Sequence, residues 1–252
     1  MAGNPHDHLG GESPRARGKG NTVKVAGFVY RFGFSRPDIL KQVIDVQTDT
    51  WFRTAKKRGD FTGVKTPGGE LLVLTQSTLA LAEYHASRLT HYQELDGERI
   101  NLATVRHNLF VQQVTLRAMA SGAFESFLTE REIATADARN VKRPDVVWIG
   151  KGGKRCAVEV ELTAKWSRHF DDFAVGVVRA LETSQGTPAY DEFLVLTDSR
   201  AIAERYRDEL RPGKPLRLWA KDAHGKWAVT KTGRIPDWLP ERISIKVVEV
   251  AK

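Results

Sequence analysis

The sequence predicts a mixed α/β protein in two parts, a helical N-terminal part that contains a β-hairpin and a C-terminal part built on a central mixed sheet. Between residues 22 and 95, helical patterns surround a Pro-Gly-Gly turn. From about residue 101, helical patterns alternate with apolar strand patterns, which is typical of a layered α/β domain. Residues 1–21 are rich in Gly, Pro and charge with no apolar period, and are expected to form a disordered basic arm.

The composition of the chain favours a polyanionic partner. The 252 residues include 39 Lys and Arg against 31 Asp and Glu, with a formal net charge of +8 and a pI near 9.6. Such a basic balance is common in proteins that bind nucleic acid. The single cysteine, Cys156, excludes an internal disulfide, and no apolar run is long enough to cross a bilayer. We therefore expect a cytoplasmic protein with no membrane partner.

The elements of the N-terminal part follow the order of a winged helix-turn-helix. "TVKVAGFVYRFGF" can form a first helix, and "SRPDILKQVID" predicts a second, with Ser35 as its cap and Pro37 at an early position. "TDTWFRTAKKRGDF" predicts a third helix, capped by Thr48 or Asp49. "TGVKTPGGELLVLT" predicts a hairpin and "QSTLALAEYHASRL" a further helix. A winged helix-turn-helix is therefore expected over residues 22–95.

The third predicted helix carries a basic cluster. In this layout such a helix can enter a major groove of DNA while the hairpin contacts the backbone. Thr50, Arg53 and Lys57 follow a three-then-four spacing that puts them on one face. The DNA-binding residues expected here are Thr50, Arg53, Lys56, Lys57, Arg58 and Lys65. The alternative is a solvated, charged face on a helical domain that contacts protein.

Residues 96–252 are expected to form the α/β domain, with the polar stretch "THYQELDGERINLATV" as the linker before it. Helical patterns occur at "LATVRHNLFVQQVTLRAMAS", "RHFDDFAVGVVRALETS" and "SRAIAERYRDEL", where Tyr206 is expected to be exposed. Strand patterns occur at "EFLVLTD", "PLRLWAK" and "ISIKVVEV". "FLTEREIATADARN" is a short strand or loop, and an apolar hairpin follows it.

That hairpin, "RPDVVWIGKGGKRCAVEVELTAK", carries acids in strands that otherwise look buried. Side chains alternate along a strand, so Glu159 and Glu161 share one face. If the loop has three residues, 151–153, Asp145 stands directly across from Glu159 with Cβ atoms about 4.5–5.5 Å apart. A two-residue turn would instead send Asp145 and Glu159 to opposite faces.

Two interpretations of these acids stay open on spacing alone. Two adjacent carboxylates can share a divalent cation, and oxygen ligands suit Mg²⁺ or Mn²⁺. Without such compensation, burying each ionised carboxylate costs roughly several kcal/mol. Alternatively, the acids lie on a water-facing side and pair with cations of the chain itself, namely Lys142, Arg143, Lys154 or Lys165.

The "RPD" motif, the fourteen positions from Asp145 to Glu159, the "EVE" strand and the nearby Lys165 together resemble the PD-(D/E)xK restriction-endonuclease-like superfamily. More narrowly, a winged helix joined to "KRPDVVW…AVEVELTAKWSRHF" is similar to the replication-relaxation group of mobile-element proteins and to the C-class mobilisation relaxases of plasmids. The resemblance implies a restriction-endonuclease-like α/β domain that cleaves DNA hydrolytically at an origin or target site. It also implies relaxosome or mobile-element proteins as further partners.

The resemblance also implies roles for individual residues. Asp145 and Glu159 would bind Mg²⁺ or Mn²⁺, with the Val160 carbonyl as a third ligand. Some relatives carry another acid on the first core helix, where this chain offers His107, Gln112 and Gln113, with Glu125 just beyond.

The chain departs from the family pattern at the lysine expected two residues after the glutamate, where Glu161 stands instead. Glu161 is then a further metal ligand or a water-orienting base, and Lys165 can substitute for the lysine if its stem folds back. The expected catalytic residues are Asp145, Glu159, Glu161 and Lys165. Lys142 and Arg143 flank the site and are expected to position the DNA backbone.

Three functions therefore stay open. The first is a metal-dependent DNA nickase or endonuclease acting as a relaxase at a plasmid or mobile-element origin. The second is a non-catalytic DNA-binding regulator or relaxosome accessory protein with a degenerate nuclease domain, which the displaced lysine favours. A transposition endonuclease would share the chemistry of the first and differ in its partners.

Overall fold

The structure is a computed structural model that describes residues 13–133, 142–182, 186 and 188–249. The chain divides into two compact units, Met1–Leu102 and Ala103–Lys252. The mixed α/β class and the central mixed sheet predicted from the sequence are confirmed. In the described part of the chain, no helix is long and apolar enough to span a membrane.

The described part of the first unit consists mainly of helices and one hairpin. Its elements are α1 (Pro14–Phe32), α2 (Pro37–Ile44), α3 (Thr50–Lys57), β1 (Phe61–Thr66), β2 (Gly69–Leu74) and α4 (Gln76–His85). β1 and β2 are antiparallel, with Thr66 paired to Gly69 around a two-residue turn. Apolar side chains of all these elements are buried in the unit, among them Val29, Leu40, Phe52 and Leu72.

Two expectations for the first unit are wrong. Ser35 does not cap α2, because it is fully buried and its backbone pairs with Leu72, with N–H···O distances of 3.2 and 2.8 Å. Pro37 does begin α2. The predicted disordered arm is wrong from Pro14 onwards, since α1 begins there and the Ser13 hydroxyl accepts a hydrogen bond from the N–H of Ala16. Residues 1–12 of that arm lie outside the described residues.

The second unit is built on a five-stranded sheet. Its elements are α5 (Val105–Ala120), β3 (Phe124–Thr129), α6 (Glu130–Ile133), β4 (Val146–Gly150), β5 (Arg155–Val160), α7 (Ser167–Leu181), β6 (Glu192–Thr197), α8 (Arg200–Glu209), β7 (Pro215–Lys221), β8 (Trp227–Arg234), α9 (Leu239–Arg242) and β9 (Ile243–Val247). The strand order is β3-β4-β5-β6-β9. β3, β4 and β5 form an antiparallel meander, and β5, β6 and β9 are parallel.

Helices cover both faces of the sheet. On one face, Trp148 of β4 donates a hydrogen bond from Nε1 to Oγ1 of Thr115 in α5, at 3.2 Å. On the other, Ala157 and Val195 pack in a core with Phe170 and Phe173 of α7. A sheet buried on both faces explains why these strands read as nearly continuous apolar runs.

Tyr206 of α8 lies in the same core, where it is fully buried against Phe170 and Phe173. The expectation of an exposed tyrosine is therefore wrong. The α8 pattern "AERYRDEL" is dominated by charge, and only Ala203 and Tyr206 of that helix are buried. A helix with so few core residues offers little periodic signal.

Candidate functional site

The register of β4 and β5 places the acids of the hairpin. Val146 pairs with Val158 and Ile149 with Arg155, which puts Asp145 opposite Glu159 at the open end. The predicted three-residue loop is confirmed: the N–H of Gly150 bonds to the carbonyl of Lys154 at 2.9 Å. Gly152 and Gly153 adopt φ of 72° and 79°, a left-handed conformation that glycine tolerates best.

Asp145 closes the end of the hairpin next to β5. Its Oδ2 accepts a hydrogen bond from the N–H of Val160 at 2.7 Å. The same oxygen lies 3.2 Å from Nε2 of His107, which comes from α5. Asp145 is thereby fixed against the backbone of Val160, the residue whose carbonyl was predicted to bind metal.

Glu159 is a deeply buried acid. It is 4% exposed, and its Oε2 has no hydrogen-bond partner among the described residues. Burial, and then the nearby charge of Asp145, raise the pKa of Glu159 above its ordinary value, because both disfavour the ionised form. Glu161 is equally buried. A water-facing location for these two acids is therefore excluded.

Lys165 folds back over the site, as its predicted role requires. Its Nζ lies 3.3 Å from Oε1 of Glu159 and also contacts Oε1 of Glu161. The backbone N–H of Lys165 donates to the hydroxyl of Tyr206 at 3.4 Å. Burial lowers the pKa of Lys165, although the charge of Glu159 acts in the opposite direction. The catalytic role of Lys165 stays a prediction.

Lys142 is a second cation at Glu159, and it is one of the four cations that the alternative interpretation offered as partners of the acids. Its Nζ lies 2.7 Å from Oε1 of Glu159. The backbone of Lys142 rests on α7, where its N–H donates to the carbonyl of Gly176 at 3.3 Å. A Cβ at Gly176 would lie only 2.8 Å from the Cβ of Lys142, so glycine is needed for this approach. Lys142 was predicted either to position the DNA backbone or to pair with one of the acids, and in this structure it contacts Glu159.

His107 lies between two groups that were predicted to bind metal. Its Nε2 is 3.2 Å from Oδ2 of Asp145 and 3.1 Å from the carbonyl oxygen of Val160. Burial disfavours the imidazolium, but the hydrogen bond to Asp145 and the charge of Asp145 outweigh it and raise the pKa of His107 to about 9. His107 is therefore a cation at neutral pH, and both of its ring nitrogens carry protons.

The donor set fits a hard divalent ion in part. Asp145, Glu159 and the Val160 carbonyl supply oxygen atoms, and the partnerless Oε2 of Glu159 is a buried acceptor that a cation would satisfy. Within the described residues, however, no three acidic, histidine or cysteine side chains are grouped closely enough to hold a metal ion. Lys142, Lys165 and His107 supply the positive charge that balances the acids.

The basic residues of α3 belong to the first unit and differ in their partners. Thr50, Arg53 and Lys57 are exposed, as is Lys65 in β1. The ammonium of Lys56 is held by both carboxylate oxygens of Glu70, at 2.7 and 2.6 Å. Arg58 pairs with Asp60 at 2.5 Å. Lys56 and Arg58 are thus engaged within the protein, whereas the other four side chains face solvent.

A scan against protein-family models and searches of curated proteins and of solved structures find nothing that matches this chain.

Proposed function

We propose that this protein is a metal-dependent DNA endonuclease or nickase that acts at a specific site, with a winged helix-turn-helix as its DNA-binding domain. The observation that carries the proposal is the buried Oε2 of Glu159. It has no partner in the part of the chain that the structure describes, and it lies in a cluster with Asp145, the Val160 carbonyl and Lys165. A buried carboxylate oxygen without a partner is unfavourable unless the site receives a further cation.

The order of elements supports the proposal. α5, β3, β4, β5, α7 and β6 follow one another as helix, three-stranded meander, crossover helix and parallel strand. This is the arrangement expected of the PD-(D/E)xK core that the motif resembles, with the acids on the two adjacent strands. The wider relaxase role, at a plasmid or mobile-element origin, rests on that resemblance alone.

The first unit supports the DNA-binding part of the proposed function. A single bridge between Ser35 and Leu72 joins the segment between α1 and α2 to the β1–β2 hairpin. The order α1, bridged segment, α2, α3 and hairpin agrees with that of a winged helix. α3 then holds the place of the recognition helix, with Arg53 and Lys57 facing solvent.

The residues of the site would have different roles in the reaction. Mg²⁺ or Mn²⁺, held by Asp145, Glu159 and the Val160 carbonyl, would supply charge neutralisation and an activated water. The ammonium of Lys165 can stabilise the negative charge that develops on the phosphate, because it already lies at the carboxylates. Glu161 holds Lys165 in place and orients it. The hydroxyl of Tyr206 accepts a hydrogen bond from the backbone N–H of Lys165 and so helps to fix the position of that residue.

One observation favours a second candidate, a non-catalytic DNA-binding protein with a degenerate nuclease domain. His107 contacts the two oxygen atoms that the metal would use, and Lys142 contacts Glu159. In a protein without catalytic activity, these cations would replace the metal permanently. The displaced lysine, with Glu161 at its expected position, agrees with this alternative.

Cleavage of supercoiled plasmid DNA that carries the cognate site, in a series of divalent metals, tests the proposal. We expect nicking with Mn²⁺ or Mg²⁺ that EDTA abolishes, and a loss of at least about a hundredfold in Asp145→Asn and Glu159→Gln. Glu192→Gln is the matched control, because Glu192 is an exposed acid of the same sheet that pairs with Lys154. DNA binding without any metal-dependent nicking would establish the non-catalytic alternative.

A further inference from the structure

The hairpin formed by β7 and β8 is the most basic segment of the second unit. It forms its own two-stranded sheet within the connection between β6 and β9. Seven Lys or Arg residues and a single acid, Asp222, lie between positions 211 and 234. Every residue of β8 except Gly233 is exposed. A large share of the net charge of +8 is therefore concentrated on one small, exposed element.

Part of this charge is paired and part is not. Arg211 and Lys214 contact Asp208, and Arg217 lies 3.8 Å from Asp171. In the described part of the chain, the other four have no acid within salt-bridge distance; they are Lys221, Lys226, Lys231 and Arg234. Exposed, uncompensated cations of this kind attract a polyanion.

Two exposed tryptophans are each held against the side chain of a cation. Trp227 of β8 is 48% exposed, with the guanidinium of Arg168 at 4.1 Å and the ammonium of Lys221 at 5.7 Å from its ring centre. Trp166 is 67% exposed, and the guanidinium of Arg205 lies 3.4 Å from its ring centre. Tryptophans are usually packed, so two exposed rings fixed by cations need an explanation.

Trp166 lies beside the candidate site, and Trp227 is joined to the same segment through Arg168. Trp166 directly follows Lys165, whose ammonium contacts Glu159, and Arg168 is in the first turn of α7. β7 is fixed to the same helix, since Nε1 of Trp219 donates to Oδ2 of Asp171 at 2.8 Å. We call this surface, made of Trp166, Arg168, Trp227 and the exposed basic residues of β7 and β8, the strand-binding surface.

We propose that the strand-binding surface holds single-stranded DNA, with bases stacked on Trp166 and Trp227 and with phosphates contacted by the basic side chains of the hairpin. Aromatic side chains and a basic track are the combination that binds single strands irrespective of sequence. In a duplex the base faces are already stacked on each other, so exposed rings have nothing to bind. The inference rests on the proposed function and adds to it the form of DNA that is held next to the acids.

The test is fluorescence anisotropy of a labelled single-stranded oligonucleotide of mixed sequence, measured in EDTA so that no cleavage occurs. We expect Trp227→Ala and Trp166→Ala each to weaken binding roughly tenfold, since stacking on an aromatic ring contributes about 1–3 kcal/mol per base. Trp227→Phe keeps a ring and should retain most of the affinity. Val229→Ala is the matched control, because Val229 lies two residues further along β8 and is 42% exposed.

The outcomes separate the two proposals. Wild-type affinity in both alanine variants, an equal loss in Val229→Ala, or no binding of the single strand by the wild-type protein would overturn the strand-binding surface. If the protein binds the single strand through both tryptophans and cuts no DNA with any metal, the nuclease proposal fails and this one stands. Melting curves by circular dichroism establish that each variant is folded.

Discussion

The ammonium of Lys142 lies 2.7 Å from Oε1 of Glu159, closer than the ammonium of Lys165, which lies 3.3 Å from the same oxygen. Two cations thus share one oxygen of Glu159, while Oε2 has no partner within the described ranges. The buried charge is only partly compensated, so Glu159 destabilises the folded state. Functional sites often retain such destabilising groups.

Glu159→Gln is therefore expected to raise the free energy of unfolding in EDTA, by about 1 kcal/mol, because a buried ionised carboxylate is replaced by a neutral amide of similar shape. The side chains of Lys142 and Lys165 are 23% and 30% exposed, so water can hydrate their ammonium groups once the carboxylate is removed. Urea unfolding at neutral pH measures the change. Glu192→Gln is the exposed control and should change stability by less than about 0.5 kcal/mol. A less stable Glu159→Gln protein contradicts the argument.

With Mn²⁺ added, the wild-type protein should become more stable than Glu159→Gln. If Glu159 holds the ion, a metal concentration of about one hundred times the dissociation constant stabilises the wild-type protein by about 2.7 kcal/mol and leaves Glu159→Gln nearly unchanged. The same urea unfolding with added Mn²⁺ gives the result. Equal stabilisation of both proteins would place the metal elsewhere.

The loop of the β4–β5 hairpin explains why much of the site was predictable. Gly152 and Gly153 mark a three-residue loop, and loop length together with strand periodicity then determines which acids face each other. The return of Lys165 was expected from the family resemblance, as a substitute for the displaced lysine. Local rules were sufficient to place Asp145 opposite Glu159.

Contacts between distant elements were not predictable in this way. Lys142 was one of four cations that the sequence offered as partners of the acids, and only its packing on Gly176 of α7 selects it for Glu159. His107 was one of several polar residues on α5, and only the crossing of α5 over the end of β5 selects it. Ser35 was predicted to cap α2 from its position just before the helix. Its pairing with Leu72 instead depends on tertiary structure, which the sequence pattern does not show.

Gly176→Ala tests the packing that positions Lys142. An alanine normally stabilises a helix relative to glycine, but here its Cβ would lie 2.8 Å from the Cβ of Lys142 and 3.1 Å from the backbone nitrogen of Lys142. We expect the free energy of unfolding to fall by about 1–3 kcal/mol, as in other overpacked sites. The control is Gly27→Ala in α1, where the added Cβ meets nothing within 4 Å.

Thermal or urea unfolding of both variants gives the comparison. Gly27→Ala should gain about 0.5–1 kcal/mol, which is the usual advantage of alanine within a helix. If Gly176→Ala gains as much, the segment that carries Lys142 is free to move away from α7, and its contact with Glu159 has no structural support.

His107→Ala should tighten the binding of Mn²⁺. A divalent ion that uses Asp145 and the Val160 carbonyl must displace the imidazolium of His107, which contacts both. Hydrogen bonds to charged groups contribute about 1.5–3 kcal/mol, so their removal from the metal-free state should improve affinity roughly tenfold or more. Calorimetric titration at neutral pH measures this, with the exposed His224→Ala as the control. Weaker binding in His107→Ala would identify His107 as a ligand of the metal instead.

The basic residues of α3 should contribute unequally to the binding of duplex DNA. Arg53 and Lys57 face solvent, whereas the ammonium of Lys56 is held by two oxygen atoms of Glu70 at 2.7 and 2.6 Å. A cation that already has a close counterion releases fewer ions from DNA when it binds a phosphate. We therefore expect Arg53→Ala and Lys57→Ala to weaken binding more than Lys56→Ala does.

Salt dependence makes this comparison quantitative. In anisotropy titrations over a range of KCl concentrations, Arg53→Ala and Lys57→Ala should each reduce the slope of log affinity against log salt by about 1. Lys56→Ala is the matched control on the same helix and should leave the slope nearly unchanged, since Glu70 already neutralises its charge. An equal reduction in all three variants would mean that the Lys56–Glu70 pair opens on DNA. Unchanged slopes in all three would instead exclude α3 as the recognition helix and remove the main support for a winged helix-turn-helix that binds DNA.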